Sequence, residues 1–140
     1  MPLSLEEREQ FLLEPHIASL AVAGAAGRGP LQVPVWYQYK PGGEAWILTA
    51  AKSRKARQIA EHGRFSLLVE RLEPSIRYVT VEGPVLSTEE GTDEHLVEMC
   101  TRYVRPERLE AYIKYLKAEG QQSVITLKVE HWTSADLGQV

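Results

Sequence analysis

The chain has 140 residues, 44% of them hydrophobic and 25% charged, with a formal net charge of -3. A chain of this length supports one real core and is too short for two. Its charge balance gives no general reason to expect nucleic-acid or membrane partners, which reward a basic excess. Cys100 is the one cysteine, so no intrachain disulfide can form, and no CxxC or Cys/His spacing points to zinc. The first eight residues are acidic and amphipathic, without the basic region and apolar run of a signal peptide. No apolar stretch approaches the roughly 20 residues that a spanning helix needs. The expectation is a cytoplasmic protein of one domain, residues 1–140.

In chain order, Ser4 and Glu7 have capping-box spacing and predict a helix from Leu5 to Leu13, ended by Pro15. The small aliphatic run from His16 to Ala23 predicts a buried strand, and the glycine-rich stretch from Gly24 to Pro30 a turn. Leu31 to Tyr39 alternates cleanly: Val33, Val35, Tyr37 and Tyr39 share one face, and Gln32, Pro34, Trp36 and Gln38 the other. Ala45 to Thr49 returns as its hairpin partner. Lys52 to His62 predicts a helix with Gly63 at the position of a terminating glycine. Phe65 to Glu70 and Ile76 to about Leu86 predict two strands, the second with a bulge or bend at Gly83-Pro84. Two helices follow, one carrying Leu96, Met99, Cys100 and Tyr103, the other starting at Pro106 and carrying Leu109, Tyr112, Ile113 and Leu116. Val124 to His131 is the last strand. The pattern is α+β, six mainly antiparallel strands with short flanking helices.

Four features break local rules, and such breaks concentrate where function lies. Lys52-Ser53-Arg54-Lys55-Ala56-Arg57 puts four cations within six residues at a helix start, against the helix dipole. A bound anion would reverse that penalty: free N–H groups, the Ser53 hydroxyl and the Lys55 ammonium together suit a phosphate. A solvated basic face is the alternative. Trp36 is a large aromatic on the polar side of its strand, suited to lie under another element, at a subunit interface or against a ring-shaped ligand. Thr49 ends its strand just before the basic helix start, where its hydroxyl suits a ligand's polar edge or a local turn bond. Tyr78, beside Arg77, lies on the face opposite the valines, lining a pocket or an interface. His16, His62, His95 and His131 are scattered, and no Ser/His/Asp, Cys/His or paired-carboxylate set can be built from spacing. No P-loop or dinucleotide fingerprint is present.

Pro34-Val35-Trp36-Tyr37, Ile47-Leu48-Thr49, Ser53-Arg54-Lys55-Ala56-Arg57, Arg64-Phe65-Ser66-Leu67-Leu68-Val69 and Tyr78-Val79-Thr80-Val81-Glu82-Gly83 follow one another between Gly29 and Glu89. In that order and spacing the chain resembles the pyridoxamine-phosphate-oxidase-like superfamily, and within it the flavin- and deazaflavin-dependent oxidoreductase branch. The resemblance implies an FMN-binding split β-barrel that forms a homodimer, with cofactor sites along the subunit interface. It implies that backbone at Pro34, Val35 and Trp36 meets the cofactor ring. It places Thr49, Ser53, Lys55 and Ala56 at the phosphate and ribityl chain, and Tyr78 near the ring or substrate. Arg54 and Arg57 are implied as further anion contacts. Where relatives often carry Asn-Leu-Arg-Arg-Asp, this chain reads Gln58-Ile59-Ala60-Glu61-His62, two basic residues fewer. FMN needs less positive charge than the polyglutamate-tailed deazaflavin coenzyme F(420), and both cofactors stay open.

The function so implied is an oxidoreductase that moves a hydride between a phosphorylated flavin-type cofactor and a small molecule. The cofactor would carry the hydride, which accounts for the missing acid–base set. The rival readings are a non-catalytic carrier of flavin or haem on the same fold, and a cofactor-free dimeric interaction module. With a short basic cluster in an acidic chain, neither nucleic acid nor membrane is an expected partner.

Overall fold

Helix α1 (Leu5–Leu13) starts where the capping box predicts. The Ser4 hydroxyl accepts from the Glu7 N–H at 3.2 Å, and the Glu7 carboxylate accepts from the Ser4 N–H at 3.0 Å. The computed structural model describes residues 2–139. After α1 come strands β1 (Ala18–Val22), β2 (Leu31–Val35), β3 (Tyr37–Lys40) and β4 (Glu44–Ala50), then helix α2 (Arg54–His62). Strands β5 (Arg64–Arg71) and β6 (Ile76–Glu90) lead to helix α3 (Asp93–Tyr103), a 3-10 turn (Pro106–Arg108) and helix α4 (Leu109–Ala118). The chain closes with β7 (Gln122–Lys128) and β8 (His131–Gly138).

The strands run in the order β2-β1-β5-β6-β7-β4-β3, with β8 laid against β6, and every pairing is antiparallel. The sheet curls into the expected α+β split barrel. The described strands number eight rather than six, for two reasons. The run from Leu31 to Tyr39 breaks at Trp36: Val35 pairs with β1, whereas Tyr37 pairs with Ile47 of β4. Burial still alternates across the break, so periodicity alone hides it. The last predicted strand ends at Lys128, and β8 follows after a two-residue turn. Its residues Thr133, Ser134, Ala135 and Asp136 show no apolar alternation; they are strand because they add to the edge of β6.

Strand β6 ties the two halves together. Its first part pairs with β5 on one side and β8 on the other, and from Val85 it pairs with β7. The expected irregularity near Gly83-Pro84 appears as a register shift between Val85 and Ser87. Gly83 itself is demanded by a close approach, because a Cβ there would land on the carbonyl oxygen of Lys128.

Inside the barrel, Leu20, Ile47, Leu67, Val69, Val79, Val81, Ile125 and Leu127 are all buried, one face of each strand. Helix α1 adds Phe11 and Leu12 to this core and α2 adds Ala56 and Ile59. Gly63 ends α2 with φ 70°, the left-handed geometry predicted for it, and its N–H reaches Ile59 O at 2.7 Å.

Strand β8 is tied down by charge. One carboxylate oxygen of Asp136 accepts from Arg77 Nη2 at 2.8 Å, Arg77 Nε at 3.1 Å and Ser75 Oγ at 2.9 Å. The other accepts from the Gly138 N–H at 2.9 Å. The Gly138 N–H, with Arg77 and Ser75 behind it, holds the Asp136 carboxyl down at about 2. A carboxyl depressed on folding stabilises the fold above its unfolded value and loses that contribution as pH falls through the folded one. Stability therefore drops between about pH 4 and about pH 2 through this group. In Asp136→Asn, thermal unfolding followed over that window should show a shallower slope than wild type.

Candidate functional site

The basic helix start does not act as one cluster. Lys52 precedes α2, and Ser53 is its N-cap, with the hydroxyl accepting from the Ala56 N–H at 3.2 Å. Thr49, buried at the end of β4, places Oγ1 3.2 Å from Ser53 Oγ, so the two hydroxyls form a relay at the helix mouth. Arg57 turns back and donates to Lys52 O at 3.4 Å. The N–H groups of Arg54 and Lys55 belong to the first turn, which has no intrahelical acceptors for them.

Lys55 points into a cleft of about 300 Å³. Pro34, Val35 and Trp36 line it together with Met99 of α3 and Tyr112 and Leu116 of α4. Ile17, Leu48 and Gln122 complete the lining. The Lys55 ammonium is the one charged group in this lining among the described residues, and no carboxylate pairs with it. Burial pushes its pKa down, because the charged form has lost part of its water without gaining a partner. Strand β2 is an edge strand, so one side of its backbone has no strand partner.

Trp36 sits at the break between β2 and β3, stacked on Tyr103 with ring centroids 4.8 Å apart and planes 15° apart. Its other neighbour is Tyr112, at 5.4 Å and 30°. It therefore lies under the helical pair, and it also lines the cleft. Burial pushes the Tyr112 phenol up, which keeps it neutral.

Behind the cleft, Tyr103 and Arg102 lock the helical pair to the barrel. The Tyr103 hydroxyl accepts from the Tyr37 N–H at 3.2 Å and lies 2.8 Å from His16 O and 3.0 Å from Tyr37 O. Arg102 donates to Leu12 O at 2.9 Å, Leu13 O at 2.8 Å and Glu14 O at 2.7 Å, closing the carbonyl end of α1. Its guanidinium also lies over the Tyr37 ring at 4.8 Å. Arg102→Ala should cost about 2 kcal/mol, because three carbonyls lose a charged donor. Urea unfolding would read this, and Arg102→Lys should recover only part of it.

Of the residues expected at a cofactor, Pro34, Val35, Trp36 and Lys55 meet in one cleft, and Thr49, Ser53 and Ala56 build the helix mouth beside it. Arg54 lines a different hollow, with Gln58 and the turn at 24–30. Tyr78 is half-buried on the outer face of β6, opposite Glu70 and Ala135, and does not line the cleft. None of the four histidines lines it either. Among the described residues no group of His, Cys, Asp and Glu could hold a metal ion. Gln122 carries no signal in the sequence, and its place in the lining follows from the β4–β7 pairing, which no local pattern encodes.

The architecture and this cleft define a split-barrel protein of the pyridoxamine-phosphate-oxidase type. The sequence profile described as pyridoxamine 5'-phosphate oxidase matches residues 4–136, and the chain belongs to that family. Among solved structures, the conserved hypothetical protein Rv2991 from Mycobacterium tuberculosis is similar at 24% identity and a TM-score of 0.75. The match covers 96% of this chain and 85% of that one. A structure described as an F420 reductase is similar at 17% identity and a TM-score of 0.70, over 89% of this chain and 94% of its own. A FAD-binding protein from Mesorhizobium loti is similar at 18% identity and a TM-score of 0.64, over 97% and 95%. At these identities the likeness concerns the fold. No curated protein sequence matches the chain. No described helix is long and apolar enough to cross a membrane.

Proposed function

We propose that this chain is an oxidoreductase that binds a phosphorylated flavin-type cofactor, FMN or a deazaflavin, in the Trp36–Lys55 cleft. The observation that carries this reading is the half-buried, unpaired Lys55 ammonium in the same cleft as the edge strand at Pro34–Trp36. A cleft of about 300 Å³ with one cation in its lining is at the small end of ordinary ligand sites. A single cation at one end suits a ligand that is planar at one end and phosphorylated at the other. The neighbours described as an F420 reductase and a FAD-binding protein support a cofactor of this class.

In this reading the residues have separate tasks. Lys55 and the open N–H groups of α2 hold the phosphate, and the Thr49–Ser53 hydroxyl pair lies at the ribityl chain. The unpartnered backbone edge of β2 orients the ring, and Trp36 and Tyr112 exclude water beside it. When bound, the cofactor supplies hydride transfer to or from a small substrate, so the protein needs no acid–base set of its own.

The second copy belongs to the same proposal. Ser19, Ala21, Ser66, Leu68, Tyr78 and Thr80 form a half-buried outer face across β1, β5 and β6, with Glu70 and Glu82 at its margins. A homodimer through this face would cover it and bring Tyr78 of a second copy toward the cleft.

Purified protein titrated with FMN and with the deazaflavin should bind one of them saturably, with the chain dimeric by native mass spectrometry. Failure to bind either ends the proposal. The haem-carrier alternative predicts a Soret band sensitive to one histidine, but no histidine lines the cleft.

A further inference from the structure

We propose that the hollow between the turn at 24–30 and α2 is a second anion-binding subsite, taking a phosphate or carboxylate group. It lies on the same helix as the cleft but on another side. Arg54 and Gln58 are four residues apart and share one helix face, whereas Lys55 is turned about 100° from Arg54. Arg28, from the turn, faces them across a space of about 440 Å³.

Two observations point to an anion. The lining holds two guanidinium groups and no carboxylate, in a chain whose net charge is -3. Neither Arg28 nor Arg54 makes a side-chain hydrogen bond or ion pair with the described residues, so both guanidinium groups are open to the hollow they line.

The turn is shaped for this. A Cβ at Gly24 would strike the carbonyl of Gly29, so the ends of the turn close directly on each other and hold Arg28 opposite α2. The source of the anion is either the far end of an extended cofactor in the neighbouring cleft or a separate small molecule. Only the first of these rests on the proposed cofactor site.

The test uses 15N-labelled full-length protein titrated with pyrophosphate, following the arginine Nε–Hε resonances. Saturable shifts at Arg28 and Arg54 that vanish in the Arg28→Ala/Arg54→Ala variant support the subsite. No saturable shift, or shifts that persist in the double variant, overturn it. Both arginines are exposed, so the variant should fold as wild type does. FMN and a glutamate-tailed deazaflavin are then bound to both proteins. If the double variant weakens the tailed deazaflavin about tenfold or more and spares FMN, the anion belongs to the cofactor. If both cofactors bind unchanged while pyrophosphate binding is lost, it belongs to a separate molecule. If wild type binds neither cofactor, the flavin proposal falls, and the pyrophosphate result still decides the subsite.

Discussion

Replacing Gly83 with alanine is expected to cost about 3 kcal/mol or more, a large fraction of the stability of a domain this size. A methyl group at this position would occupy the place of the Lys128 carbonyl oxygen and press on the Glu130 N–H. Both obstacles are backbone, so no side-chain rotation relieves them. The strain would fall where β6 changes partners from β5 and β8 to β7, and where Glu130 N donates to Glu82 O at 2.9 Å. Urea unfolding of Gly83→Ala should show a lowered midpoint. Gly29→Ala serves as the control, because a Cβ there meets nothing within 4 Å. It should be neutral or mildly stabilising, through lost freedom in the unfolded chain. Equal midpoints for the two variants would contradict the close approach at Gly83.

The second large effect concerns ligand binding. If the proposed cofactor site holds, Lys55→Ala weakens binding of the phosphorylated cofactor about 10- to 100-fold while leaving the fold intact. The side chain makes no hydrogen bond or ion pair with the described residues, so its removal frees no buried partner. It also removes a partly desolvated charge, and stability should hold or rise slightly. Lys55→Arg keeps the charge but not the compact ammonium, and should fall between the two. Fluorescence titration with FMN and with unphosphorylated riboflavin separates the contributions. The loss should appear for FMN and be nearly absent for riboflavin. Equal losses for both would place Lys55 away from the phosphate.

The residues explain how far sequence reasoning reaches. The Ser4–Glu7 box, the Gly63 terminator and the alternation of Phe65, Leu67 and Val69 are local, and each appears as expected. Strand β8 was illegible because its small polar residues become strand only by joining β6, a contact of long sequence separation. The break at Trp36 was hidden by alternation that runs through it. At the site, Lys55 and the Pro34–Trp36 strand were expected together and do share a cleft. Lys52, Arg54 and Arg57 read as parts of the same cation cluster, but the helix turns Arg54 to one hollow, folds Arg57 back, and leaves Lys52 before its first turn. Arg28 and Arg102 carried no local signal, since each acts on a segment distant in the chain.

Helix α4 buries no residue fully, yet it supplies Tyr112 and Leu116 to the wall of the cleft. The barrel does not need this helix to fill its core, so its side chains are free to vary while the cradle at α2 stays fixed. Under the proposed function, this ten-residue helix is the part of the cleft that can change without disturbing the barrel core. A library randomised at Tyr112 and Leu116 alone would sample new substrates with little penalty in folded yield.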